Sequence, residues 1–163
     1  MENKTKGECR GHAEKSVADG MPEAYAVGKA WFYREEYDIT PDVLIPRPDT
    51  ERAVEKLCAL LPRGGHFADL CSGSGCIGIS CLCERGDAVC DAFDISPAAV
   101  ALALHNAEKN EVADRYSCAV SDVFSLDDAG WDIIVSNPPY IPSAVIPTLD
   151  ESVRLYEPLI ALD

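Results

Sequence analysis

Gly73-Ser74-Gly75-Cys76-Ile77-Gly78 lies between a run of strand-forming residues and an apolar helical run, and no other segment narrows the possible folds so far. A G-x-G-x-x-G turn lets the backbone bend tightly and approach a ligand closely, with a helix starting just behind it. His66-Phe67-Ala68-Asp69-Leu70-Cys71 reads as the strand before the turn, and the helix after it is expected to run through about Glu84. Residues 88–95 read as a second strand. Ser96 is placed to cap the next helix, with Pro97 at its first position and Val100, Ala103, Leu104 and Ala107 on one face. Residues 116–120 and 131–136 read as two further strands. Strands alternating with helices at this spacing predict an α/β fold, a parallel, doubly wound, Rossmann-like sheet.

Upstream of the sheet the pattern changes. Residues 1–20 are polar and read as a tail. Trp31-Phe32-Tyr33 and Tyr37-Asp38-Ile39 suggest a short hairpin, and Pro41, Pro46 and Pro48 enforce an extended crossing segment, so residues 21–48 form a hairpin and proline-rich linker. Asp49 or Thr50 is expected to cap a helix whose apolar positions are Ala53, Val54, Leu57, Cys58 and Leu61, ended by Pro62-Arg63-Gly64-Gly65. Residues 49–163 are then the main domain.

Charge and cysteine content bear on partners. With 28 acidic against 14 basic residues, the net charge is −14. A nucleic-acid binder relies on a basic face to displace counterions from phosphates, so this balance favours a basic or neutral protein partner and argues against stable nucleic-acid binding. Eight cysteines match neither paired Cys-x-x-Cys spacing nor a Cys/His finger; several lie in apolar runs, where a thiol acts as a small hydrophobe. No metal site is expected, and Cys81-Leu82-Cys83 is the one pair that invites a test for one. No apolar run is long enough for a bilayer and the N-terminus has no signal-peptide core, so a cytoplasmic protein without membrane contact is expected.

Two kinds of ligand compete for the glycine turn. Asp94 follows Gly73 at the end of the second strand, which is also the dinucleotide fingerprint, with an acid for ribose hydroxyls. Asp69, at the end of the first strand, discriminates between them. Beside a pyrophosphate, like charges about 4 Å apart repel by roughly 4 kcal/mol at an effective dielectric of about 20. S-adenosyl-L-methionine carries an ammonium and a sulfonium and no phosphate, so the same carboxylate attracts it.

The fourth strand runs into Ser136-Asn137-Pro138-Pro139-Tyr140. Successive prolines force the chain out of the sheet at the carboxyl ends of its strands, where open α/β sheets hold ligands. A planar amide or aromatic amine nitrogen is a poor nucleophile because its lone pair is delocalised. The Asn137 side-chain oxygen and the Pro138 carbonyl can accept its two N–H groups, raising electron density on nitrogen and aiming it. Pro138 and Pro139 hold those acceptors rigidly, and Tyr140 offers a stacking surface.

These motifs together resemble the HemK/PrmC methyltransferases. The resemblance runs through Leu44-Ile45-Pro46-Arg47-Pro48-Asp49-Thr50-Glu51, the glycine turn from Asp69 to Gly75, Phe93-Asp94-Ile95-Ser96-Pro97 and Ser121-Asp122-Val123-Phe124. It continues through Ser136 to Pro142 and Glu157-Pro158-Leu159-Ile160-Ala161-Leu162-Asp163. It implies a class I S-adenosylmethionine-dependent fold with strand order 3-2-1-4. It also implies N5 methylation of the glutamine in the Gly-Gly-Gln loop of peptide-chain release factors, a step serving translation termination. Cys71, Ser72, Gly73, Ser74 and Gly75 would line the methionine part of the cofactor, Asp94 would bind the ribose, and residues 121–124, with Asp122 and Val123, would flank the adenine; Asp69 and Ile95 are also counted among the cofactor-binding residues. Asn137, Pro138, Pro139 and Tyr140 would hold the glutamine, Asn137 also touching the cofactor. The family adds a helical domain ahead of the hairpin and further strands after this point, so the chain reads as a portion of that fold. Two other readings stay open: an adenine or guanine amino methyltransferase acting on nucleic acid, and an inactive cofactor-binding fragment.

Overall fold

The structure, a computed structural model, describes residues 17, 20–127 and 130–163, so most of the expected polar tail lies outside the described residues. A short helix α1 (Glu23–Val27) leads into an antiparallel hairpin, β1 (Lys29–Phe32) and β2 (Glu35–Asp38), with Phe32 opposite Glu35. A 3-10 turn (Pro48–Thr50) precedes α2 (Glu51–Leu60). Then follow β3 (His66–Leu70), α3 (Cys76–Glu84), β4 (Val89–Asp94), α4 (Pro97–Lys109), β5 (Tyr116–Val120) and β6 (Ile133–Ser136). The short helix α5 (Glu151–Tyr156) comes last among the α-helices.

The four later strands form one parallel sheet in the order β5-β4-β3-β6. That is the expected 3-2-1-4 arrangement, and the α/β class is the one read from the sequence. β3 sits between β4 and β6 and buries Phe67, Ala68 and Asp69 completely, as expected for a central parallel strand. Across one sheet face, the Asp91 carboxylate accepts from Ser117 Oγ at 2.7 Å and Trp131 Nε1 at 3.0 Å and meets His66 Nε2 at 2.7 Å. The hairpin shares the sheet's core: Phe32, Tyr37, Ile39 and Val43 pack into the same buried cluster as Phe67, Ile79 and Leu82.

Three local expectations are corrected. Neither Asp49 nor Thr50 caps α2 with its side chain, because Pro48 starts a 3-10 turn that leaves Thr50 already in helical conformation. In α4 the buried face is Ala99, Val100, Ala103, Asn106 and Ala107, and Leu104 faces solvent; a buried polar residue takes a place the apolar pattern did not mark. β6 begins at Ile133, two residues later than expected, since Trp131 turns its indole to Asp91. Ser96 does cap α4 as read, its Oγ accepting from the Ala99 N–H at 3.3 Å.

Among the described residues β6 is an edge strand, and Ile134 at its middle is 57% exposed. An unpaired apolar edge is a template for pairing with another chain. The 163-residue chain is therefore expected to self-associate, and Ile134→Lys to shift sedimentation toward monomer; identical profiles for both would assign the association elsewhere.

Candidate active site

The carboxyl ends of β3, β4, β5 and β6 meet at one edge, and a cavity opens there. The glycine turn supplies its floor. Cys71 leaves β3 with φ 59°, a left-handed conformation uncommon for a residue with a side chain. Gly75 follows at φ 80°, and a Cβ there would come within 2.8 Å of both Ile79 Cδ1 and the Tyr116 hydroxyl, so only glycine fits. The turn's N–H groups are largely used internally. Gly73 donates to Asp94 Oδ2 at 2.8 Å, Ser72 to the Phe93 carbonyl at 3.1 Å and Gly75 to the Ser72 carbonyl at 2.8 Å. Asp94 Oδ1 accepts in addition from the Ser96 N–H at 2.9 Å, so one carboxylate ties the turn to the start of α4.

Cys71, Ser72, Gly73 and Ser74 line this cavity together with Asp94, Ile95, Asp122 and Val123, and Asn137 and Pro139 close it on the β6 side. Asp122 shapes its own 3-10 turn by accepting the Phe124 N–H at 3.0 Å. A second cavity adjoins the first and is lined by Asn137 and Tyr140 with Leu44, Arg47, Thr50 and Ile77. Asn137 and Arg47 border both. Tyr140 is 78% exposed, so its ring is accessible from outside.

Not every site residue read from the sequence lines the cavities. Gly75 and Pro138 line neither; Gly75 sits back against Ile79, and Pro138 contributes backbone between two lining residues. Asp69 is fully buried behind the turn, with Oδ2 accepting the Gly78 N–H at 2.9 Å and Oδ1 without a partner among the described residues. Its carboxylate thus lines neither cavity, contrary to the expectation that it meets the ligand. Burial drives its pKa up to about 7, opposed by the Gly78 N–H and reinforced by the charge of Asp94.

The sequence reading named no role for the proline segment or the last residues, yet both wall the site. Asp42, Val43, Leu44, Pro46, Arg47 and Thr50 line the first cavity, as do Ile160 and Ala161. The signal was present in the Ile-Pro-Arg-Pro-Asp-Thr and Glu-Pro-Leu-Ile-Ala-Leu-Asp motifs, but what joins them is tertiary. Arg47 donates to the Glu157 carboxylate, whose side chain is 1% exposed. The Ile141 N–H, just past the prolines, donates to the Leu162 carbonyl at 2.8 Å. Burial raises the Glu157 pKa, with Arg47 opposing.

The cysteines contribute packing. Cys81 is buried with its sulfur 3.6 Å from that of Cys58, while Cys83 is exposed on another face of α3, so the Cys81-Leu82-Cys83 pair does not converge. Among the described residues no group of three or more potential metal ligands occurs. No described helix is long and apolar enough to cross a membrane.

A parallel sheet in 3-2-1-4 order, a glycine turn with an acid at the end of the next strand, and an Asn-Pro-Pro-Tyr exit beside the same cavity define the α/β methyltransferase class. The chain belongs to the methyltransferase small domain family, whose model matches residues 32–148. It is 39% identical over 148 residues to a release factor glutamine methyltransferase of Nitratidesulfovibrio vulgaris, covering 89% of this chain and 50% of that one. Against a protein of the same name from Rhodospirillum rubrum it is 42% identical over 143 residues, covering 87% and 44%. A ribosomal protein uL3 glutamine methyltransferase of Francisella tularensis is 37% identical over 147 residues, covering 87% and 46%. The chain thus spans about half the length of the curated relatives it matches. Among solved structures it resembles an RNA methyltransferase from Salinibacter ruber in complex with S-adenosyl-L-homocysteine, at TM-score 0.51 and 25% identity over 71% of this chain and 72% of that one.

The buried Asp69 gives the site a pH signature. Its folded pKa lies above the unfolded value of about 3.9, so the native state holds an extra proton between about pH 4 and 7 and this contribution to stability is lost as pH rises through that window. Wild type is therefore expected to lose stability relative to Asp69→Asn between pH 5 and 8, read as a widening gap in Tm. A constant gap would mean that Asp69 does not titrate there.

Proposed function

We propose that this chain carries the cofactor-binding half of an S-adenosyl-L-methionine-dependent enzyme that methylates the N5 amide of the Gly-Gly-Gln glutamine in peptide-chain release factors. The observation that carries this reading is the position of Asn137 on the boundary of two adjoining cavities, one floored by the glycine turn and one open to a substrate beside Tyr140.

The first cavity suits the cofactor on its chemistry. Asp42, Asp94 and Asp122 line it, and Arg47, the one basic lining residue among the described residues, is already paired with Glu157. That charge balance favours an ammonium and a sulfonium over a pyrophosphate, and the turn's N–H groups at Ser72, Gly73 and Gly75 are committed to protein acceptors. Asp94 and Asp122 stand as the acceptors for hydroxyl and amino groups, and Ile95 and Val123 as apolar walls. When bound, the cofactor supplies an electrophilic methyl group.

The chain's own residues do the rest. Asn137 Oδ1 and the Pro138 carbonyl accept the two N–H groups of the glutamine amide, which localises the lone pair and aims it at the first cavity. The prolines fix these acceptors before substrate arrives, so little ordering remains to be done in the transition state. The nitrogen sheds its proton after it has become cationic, so no strong base is needed. A glutamine side chain is common to the names of the relatives in both substrate groups, release factor and uL3. The net charge of −14 suits a basic protein partner and disfavours a nucleic-acid substrate.

Calorimetry is expected to show S-adenosyl-L-homocysteine binding more tightly than NAD, and tritium from labelled cofactor is expected in release factor and not in tRNA or DNA. Tighter NAD binding would overturn the cofactor assignment; label in uL3 or nucleic acid would reassign the substrate. Asn137→Ala is expected to lower kcat about a hundredfold or more while leaving cofactor affinity within a few-fold.

A further inference from the structure

We propose that Asn106, in the middle of α4, is a positioning residue that locks the glycine turn to the β1–β2 hairpin and sets the turn's readiness to accept cofactor. Asn106 is fully buried, where an amide side chain is unfavourable unless its hydrogen bonds are met. Three are. Its Oδ1 accepts the backbone N–H of Asp38 in β2 at 2.9 Å, and its Nδ2 donates to the Asp38 carbonyl at 3.1 Å and to the Ser74 carbonyl at 3.0 Å. A single side chain thus reads both backbone groups of one hairpin residue and a carbonyl inside the turn. Ser74 is itself buried and lines the first cavity, and the next residue, Gly75, carries the left-handed bend.

A second buried bond from the same hairpin supports the same turn from its other end. Tyr37 Oη donates to the Cys76 carbonyl at 3.3 Å and shares a 2.6 Å hydrogen bond with Ser80 Oγ, both in α3. The hairpin therefore holds the turn on both sides of Gly75, through Asn106 before it and Tyr37 after it. Leucine or alanine at position 106 would satisfy the helix's apolar face and leave the Ser74 carbonyl and both Asp38 groups without this partner. A buried amide at that place is explained by the turn, not by the helix.

The inference rests on the cofactor reading above only for its binding arm, so the test has two arms. In the ligand-free 163-residue chain, amide hydrogen exchange across residues 72–78 is expected to be about tenfold faster in Asn106→Ala, as for loss of one buried hydrogen bond. Asn106→Asp keeps the size and the acceptor but turns a carboxylate toward two carbonyls; protonation returns one donor. Its affinity for S-adenosyl-L-homocysteine relative to wild type is therefore expected to recover from pH 8 toward pH 5.5, while Asn106→Ala stays about tenfold weak throughout. Asp38, His105 and Lys109 beside it, and Asp69, Cys76 and Tyr116 around the turn, are common to all three proteins, so the ratio at each pH isolates position 106. Unchanged exchange in the turn, or a pH-independent ratio for Asn106→Asp, overturns the proposal, as does loss of folding in both variants, which would make Asn106 a core residue only. If wild type binds no cofactor while the exchange prediction holds, the cofactor reading fails and the positioning role stands.

Discussion

The parallel pairing of β3 between β4 and β6 is the constraint on which the site depends. Asp69 lies opposite Ala92 in β4 and Val135 in β6, and Leu70 opposite Phe93 and Ser136. In that register the three strands end together, and the glycine turn, Asp94 and Asn137 emerge side by side. A slip of one residue would reverse which side chains face α3 and would carry Asn137 away from the turn. The register is held by burial on β3: Phe67 and Asp69 are sealed on one face and Ala68 on the other, leaving no polar face for the strand to expose. Ser136 Oγ adds a direct tie, donating to the Leu70 carbonyl at 2.8 Å.

Close approach of α3 to this strand is the second condition. At Gly78 an added Cβ would meet Cys90 Sγ at 2.9 Å and Asp69 Oδ2 at 3.1 Å, so the helix sits almost on the sheet. Small, soft side chains make that possible, and here the cysteines find their use. Cys76, Cys81 and Cys90 are buried, and burial raises each thiol's pKa, which keeps them protonated and unreactive at neutral pH. The same packing leaves Asp69 Oδ1 without a partner among the described residues. A cationic ligand on the cavity side would favour the ionised carboxylate, so ligand binding and proton release are linked in sign at this residue.

What was legible in the sequence follows from range. Strand and helix positions and the Ser96 cap are legible because each rests on local periodicity, a cap or a turn within a few residues, whereas the strand order comes only from the resemblance to a known family. The glycine turn, Asp94 and the Asn137–Tyr140 exit were legible for the same reason: each is a short motif at a strand end. No local pattern shows that Pro48 starts a 3-10 turn that takes Asp49 and Thr50 out of the capping position, and a single helical stripe does not say which neighbour lies across Leu104. The walls contributed by Asp42 to Thr50 and by Ile160 and Ala161 could not be derived from pattern. They depend on the Arg47–Glu157 pair, whose members are 110 residues apart in sequence.

That ion pair also explains how a proline-rich segment becomes a wall. Prolines at 41, 46 and 48 remove backbone donors, so the segment cannot be stitched into a sheet and must be held by side chains and by its few remaining backbone groups. Tyr25 donates its hydroxyl to the Val43 carbonyl at 2.7 Å from one side, and Arg47 engages Glu157 from the other. Glu157 is sealed, so without Arg47 a carboxylate would be left buried and unpaired, a situation that costs about 3–5 kcal/mol in fully buried pairs. Arg47 keeps 42% of its side chain exposed, and solvent screening brings the value here below that range. The pair is better understood as a choice of geometry than as a source of stability. It joins two segments that line the same cavity as Asn137, and it neutralises Arg47, the one basic group among the described lining residues, whose acids are Asp42, Asp94 and Asp122. The wall is thereby fixed in place without adding a positive charge that would oppose a cationic ligand.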